Sequence, residues 1–331
     1  MKEELLVTAR TNALIDPSLH IWTWEVAMYL FLGGLTAGVM VFAALMTILK
    51  KDEDAPFATT RLALLAPIVL SLGMTTLFLD LEHKLFVFRF YTSFQITSPM
   101  SWGAWILIFI YPISLFQILS TFRSGYASFA EYIDRVTFGR LLIDKCEQYR
   151  NEIAMVAIPF AVALGIYTGI LLSAFGARPF WNSGVLGPLF LVSGMSTAAA
   201  LVALIARDHS EKVLFTRIDL VLIIVEIMLV ALFLINLATG SGQQIEALHF
   251  VTGGPYTFVF WTLFVGLGLL LPLLLEILEI SGRNKSLAML APVLVLIGGY
   301  ALRQIVLDVG QESTWTSYPS QYSAELLERM R

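Results

Sequence analysis

The sequence predicts an all-α, polytopic membrane protein of about eight transmembrane helices, with both termini on the outer (periplasmic) side. Three observations predict it. Of 331 residues, 57% are hydrophobic and only 14% are charged, whereas a soluble domain of this size carries about a quarter charged residues. The sequence divides into eight apolar runs close to the ~20 residues that a ~30 Å hydrocarbon core demands. The alternating pattern of a membrane barrel is absent, so each span satisfies its backbone within itself, as a helix. The net charge of −4 gives no reason to expect nucleic acid.

The first span, 24–49, runs from Trp24 to Lys50 and Lys51. The segment before it, 1–23, is polar and mixed in charge and does not read as a cleaved signal peptide. The second, 61–81, ends on Asp80, with Glu82 and His83 following. The third, 99–121, starts behind Ser98 and Pro99 and stops before Arg123. A connector, 122–152, mixes apolar and charged residues and reads either as a helix on the membrane surface or as a solvated link. The fourth, 153–174, carries "GIYTG" around Tyr167. The fifth, 185–206, lies between Asn182 and Arg207, and the sixth, 216–238, holds Glu226 near its middle. The seventh, 255–276, ends near Glu276 and Glu279. The eighth, 286–307, carries Arg303 and Gln304, with Asp308 just beyond. The membrane domain is thus 24–308, and 309–331 is a polar, aromatic tail on the outer side.

Loops after odd-numbered spans hold thirteen of the lysines and arginines, and the opposite side holds eight. The basic-loop bias therefore puts the odd connectors in the cytoplasm and both termini outside. Cys146 is the single cysteine, which excludes an internal disulfide and a cysteine-ligated iron–sulfur cluster within the chain. The four histidines, His20, His83, His209 and His249, all fall outside the apolar runs, so no pair is placed to hold a membrane haem. No metal site is expected.

With this topology the outer ends of the spans gather the residues with chemistry. His20, Trp22, Trp24 and Glu25 lead into span one, and Asp80, Glu82 and His83 leave span two. Ser98, Ser101 and Trp102 open span three, while Tyr167 sits in the outer part of span four, ahead of Arg178, Trp181 and Asn182. The tryptophans equally suit an interfacial belt, and Tyr167 equally suits packing, with Gly165 and Gly169 leaving room around its ring. Asp80 ends an apolar run, where ionisable groups face the bundle interior and find partners. Glu226 needs a partner or a proton at its depth. Together with Glu276 or Glu279 it either relays protons or makes structural hydrogen bonds. Arg303 is placed to snorkel to the interface. The motif Gly34-x-x-x-Gly38 marks a close helix contact. On these residues alone a secondary transporter and a passive anchor for an outer enzyme both remain open.

Three stretches, "WTWEVAMYLFLGGLTAG", "FLDLEHKLFVFRFYTSFQITSPMSWGAW" and "GIYTGILLSAFGARPFWNSGVLGPLFLVSG", resemble the NrfD-like membrane subunits of polysulfide-reductase type. The likeness covers about the first two-thirds of the sequence; the last third matches in hydropathy. It implies a quinone-binding anchor in the cell inner membrane, taking menaquinone or ubiquinone and carrying no haem or iron–sulfur cluster of its own. The implied partners are an outer four-cluster ferredoxin-like iron–sulfur subunit, a molybdopterin catalytic subunit, the quinone pool and the bilayer. By this resemblance His20 and Tyr167 bind the quinone headgroup, with Asp80, Trp24 and Trp102 around it. Protons then pass through Glu25, Asp80, Glu226 and Glu276, and Arg178, Trp181 and Asn182 face the docked partner. The resemblance departs at Pro17, where some members have asparagine, and at Glu82-His83-Lys84, where many read Gly-Arg-Pro.

Overall fold

The computed structural model describes residues 21–281 and 289–313. Eight helices among them are long and apolar enough to cross a membrane: α1 Trp24–Ile48, α2 Leu62–Asp80, α3 Pro99–Leu119, α4 Arg150–Ser173, α5 Leu186–Ile205, α6 His209–Ala238, α7 Val259–Ile280 and α8 Leu290–Glu312. The protein is a multi-pass integral membrane protein, and the described residues contain no strand.

α1 is the axis of the bundle. Its apolar stretch is 83% buried against 28% for α2 and α6, so α1 faces protein on all sides while the outer helices face lipid. It packs on α2, α4, α5 and α8. The approach to α5 is closest, because Gly34 and Gly38 lie against Gly194 and Ala198. Small residues one turn apart on both helices let the backbones meet, which favours association where lipid removes the hydrophobic drive. The same glycine pair is legible in the sequence.

Both described ends of the protein lie at one face, here the terminal face. The Trp22 amide donates to Gln311 Oε1 at 2.9 Å, and Gln311 Nε2 returns a bond to the Trp22 carbonyl at 2.8 Å. The opposite, loop face carries the long connector. That connector is neither one surface helix nor an open link but three short helices, Phe122–Gly125, Ala127–Asp134 and Thr137–Gln148. Arg123 ties them together, reaching Asp134 at 2.8 Å, Asp144 at 2.7 Å and Glu147 at 2.6 Å. Its guanidinium holds the Asp134 carboxyl below the ordinary carboxylate range.

Several boundaries differ from expectation: α4 starts at Arg150 rather than 153, and α7 covers Val259–Ile280 rather than 255–276. α6 begins at His209 rather than 216, so Lys212 and Arg217 are helical. The reason is Glu211, buried and accepting from the amides of Phe57 at 3.2 Å and Ala58 at 2.7 Å. Its carboxylate caps the start of the short helix Pro56–Thr60. α8 continues past 308 to Glu312. The first twelve residues of α7, Val259–Leu270, form wide π turns that return to α geometry at Leu271. Pro272 follows at once and has no N–H to offer the Gly268 carbonyl one α turn back, so the change of register falls where a bond is already missing.

Candidate functional site

At the terminal face, α1, α2, α3 and α4 enclose a cavity of about 520 Å³. Its walls are mostly aliphatic and aromatic. The polar groups that line it are few: Trp22 ahead of α1, Tyr29 of α1, Thr75 and Asp80 of α2, Tyr91 in the α2–α3 connection and Tyr167 of α4. Tyr29 and Tyr167 are almost wholly buried. Burial raises the Tyr91 hydroxyl above its ordinary pKa, and the neighbouring Tyr111 adds to the shift. Tyr91 therefore stays neutral and able to donate across the physiological range. Few hydroxyl donors in an apolar cleft is the usual constitution of a small-molecule site.

Tyr167 owes its place to α3. A Cβ on Gly103 would collide with the Cζ and hydroxyl end of the Tyr167 ring. Gly165 and Gly169, expected to make room for that ring, instead face neighbouring helices: Gly165 meets Leu191 of α5 and Ala37 of α1, and Gly169 meets the Leu186 carbonyl and Gly187 of α5. They bring α4 close to α5, and Gly103 clears the space for the phenol.

Of the expected headgroup residues, Tyr167 and Asp80 line this cavity. Trp102 is 40% exposed, and its indole donates to the Ile96 carbonyl at 2.7 Å, pinning the α2–α3 connection. Trp24 is half-exposed and borders a separate polar cavity of about 200 Å³ with Tyr256, Gln304, Asp308 and Glu312. Glu25 accepts from the Thr23 hydroxyl beside it. His20 lies outside the described residues. Tyr29, Tyr91 and Gly103 are absent from the expected set. Gly103 carries a signal in sequence, as the small residue one turn into a span that opens "SPMSWG".

Arg178 and Trp181 do not form a docking surface. Trp181 is buried, donates its indole N–H to the Val306 carbonyl at 2.7 Å and stacks on Trp22 at 5.7 Å between centroids. Buried Arg178 donates to the carbonyls of Gln311 at 3.0 Å and Ser313 at 3.2 Å. A guanidinium at the last carbonyls of α8 satisfies groups that a helix end leaves open and complements its dipole. The chemistry of this block is thus used inside the protein. Asn182 is exposed, and its carbonyl accepts from Gln244 at 2.8 Å.

A second group of polar side chains lies buried among α5, α6, α7 and α8. Arg303 is 0% exposed, so it does not snorkel. It donates to Ser193 Oγ at 2.6 Å, to the Gly299 carbonyl at 2.8 Å and to the Phe190 carbonyl at 3.0 Å. Glu226 is its electrostatic partner and shares Ser193. Two turns earlier on α6, Asp219 accepts from Ser196 Oγ at 2.6 Å and is hydrogen-bonded to Glu276 of α7. Asp219 Oδ2, Glu276 Oε2 and Arg303 Nε have no partner among the described residues. Glu279 continues the row towards the loop face, within the fields of His209 and Lys212. On the terminal side, α8 carries a ladder: Tyr300 donates to Gln304 at 3.1 Å, and Gln304 donates to Asp308 at 2.9 Å.

A family model described as polysulphide reductase, NrfD, matches residues 13–313. The sequence is 30% identical over 305 residues to the C component of polysulfide reductase from Wolinella succinogenes, covering 88% of this protein and 94% of that one. It is 30% identical over 317 residues to protein NrfD of Escherichia coli, covering 91% and 98% respectively. It is 24% identical over 323 residues to the C component of selenate reductase from Mesobacillus selenatarsenatis, covering 87% and 74%.

Proposed function

The chain belongs to the polysulphide reductase NrfD family, and from that premise we propose that it is the quinone-exchanging membrane subunit of a respiratory oxidoreductase complex. The observation that carries this reading is the apolar cavity at the terminal face, with hydroxyl donors on three sides. Its volume and lining suit a substituted aromatic ring, and its donor set suits two carbonyl oxygens. A quinone bound there, menaquinone or ubiquinone, supplies two-electron, two-proton exchange.

The protein's own residues do the rest. Tyr167, held by Gly103, donates to one ring oxygen. By the family resemblance His20, which lies outside the described residues, would be the donor and acceptor at the other, because an imidazole changes charge near neutral pH. Asp80, at the rim, passes protons to water. The walls exclude water from the ring. The terminal face is the outer face in this reading, and an iron–sulfur subunit docked there exchanges electrons with the site. Relatives named as components of polysulfide and selenate reductases suit a multi-subunit assembly with a molybdopterin catalytic subunit in the cell inner membrane.

In the intact complex, Tyr167→Phe lowers quinol-linked turnover about tenfold, the value of one hydrogen bond, and His20→Ala lowers it further. Turnover with a water-soluble donor that bypasses the membrane subunit stays unchanged. Wild-type quinol turnover in both variants overturns the headgroup assignment.

A second reading concerns protons. Glu279, Glu276, Asp219 and Glu226 form a row across the buried half of the bundle, with Glu226 in the field of Arg303. We infer that this row conducts protons between the loop face and the middle of the membrane. Glu226→Gln in proteoliposomes abolishes proton movement while quinol oxidation persists. Equal loss of both, or of neither, argues against a relay.

A further inference from the structure

We propose that the apolar tail of the quinone leaves the cavity sideways, through the seam between α2 and α3, and that Thr75 sets the width of this opening. The proposal rests on the quinone reading and adds a binding subsite for an isoprenoid tail.

The four helices around the cavity are not packed evenly. α1 lies closely against α2 and α4, and α3 lies closely against α4, whereas α2 and α3 touch less, and more at their loop-face ends than beside the cavity. The cavity wall is thinnest at that seam. Thr75 and Phe78 of α2 and Met100 of α3 line the cavity and are among its exposed side chains. Phe78 is 41% exposed and Met100 42%, so one layer of side chains separates the cavity from lipid.

The seam is closed at both ends. On the side away from the terminal face, Ser71 Oγ and the Tyr111 hydroxyl are 3.2 Å apart and hydrogen-bonded. On the other side, Val87, Phe90 and Tyr91 of the α2–α3 connection cover the cavity. Between them, Thr75 sits five residues from the Asp80 end of α2, about 7 Å along the helix. That depth belongs to acyl tails rather than to water. A tail of methyl and methylene groups remains in an apolar medium along this route and meets water on the route through the terminal face. The closely packed seams leave no comparable path, since the α1–α4 contact brings Gly33 against Thr168.

A graded series, Thr75→Val, Thr75→Leu and Thr75→Trp, tests this in the intact complex in liposomes. Folding of each variant is checked by gel filtration in detergent. KM for a long-tailed menaquinol rises along the series, about tenfold at the largest residue that folds. Turnover with the tailless analogue menadiol falls less at every step of the series. Equal loss with both quinols overturns the proposal, because Thr75 then belongs to the ring site. No loss with either also overturns it, because the tail then leaves elsewhere. If quinol turnover is also unaffected by Tyr167→Phe and His20→Ala, the quinone reading itself fails, which the long-tail to short-tail ratio separates from failure of the route.

Discussion

Gly103→Val abolishes quinol-linked turnover, by about a hundredfold or more, while the bundle remains folded. Tyr167 is buried with its hydroxyl end against Gly103. A Cβ at that position cannot coexist with the present ring position, and a β-branched side chain blocks small adjustments. The ring has to rotate or α3 has to retreat, and either displaces the phenol by more than an ångström. Misplacement of that size costs about two orders of magnitude in a positioned reaction. The loss is larger than that of Tyr167→Phe, because valine also takes volume from the cavity. The discriminating measurement is quinol turnover beside the thermal midpoint of the purified complex: a large drop in the first with a small change in the second. Combining Gly103→Val with Tyr167→Ala, which removes the clash, restores the cavity's capacity for quinone without restoring the rate.

Arg303→Met destabilises the bundle by about 3 kcal/mol, since each buried acceptor left without its donor costs about 1–3 kcal/mol. The guanidinium is fully buried and serves Ser193 and two carbonyls, with Glu226 as its counter-charge. Its removal leaves the Ser193 hydroxyl and two carbonyls without their donor, and Glu226 without a nearby positive charge, in a medium that offers no water. Arg303→Met with Glu226→Gln is more stable than Arg303→Met alone, since the uncompensated carboxyl is gone. Thermal unfolding in detergent of the two single variants and the double variant measures the coupling. Additive effects contradict the pairing.

The spans were legible because lipid leaves the backbone few options, so each run of about twenty apolar residues had to be a helix. The site was legible in part. Tyr167 and Asp80 share one membrane depth with the first span's polar entrance, and depth is readable from a sequence. Which face of a helix turns inward is not readable where nearly every residue is apolar. That is why Gly165 and Gly169 flank Tyr167 in sequence yet serve α5 and α1, and why Trp24 and Trp102 sit at the same depth yet outside the cavity. Arg178 and Trp181 have the composition of a docking patch, and the α8 carbonyls they bond lie more than a hundred residues away. Asp219 was missed because it stands near the charged start of α6, where a carboxylate draws no notice. Its spacing of seven from Glu226 puts both on one helix face, and that was available from the numbering.

The central claim is that quinone occupies the cavity among α1, α2, α3 and α4. Photolabelling of the detergent-purified complex with an azido-menaquinone, followed by mass spectrometry of the labelled peptides, tests it most directly. The account predicts label on the segments around Tyr29, Met74 to Asp80, Met100 to Leu107 and Tyr167, competed away by unmodified menaquinone. Competable label confined to α6, α7 or α8, or no competable label at all, contradicts it.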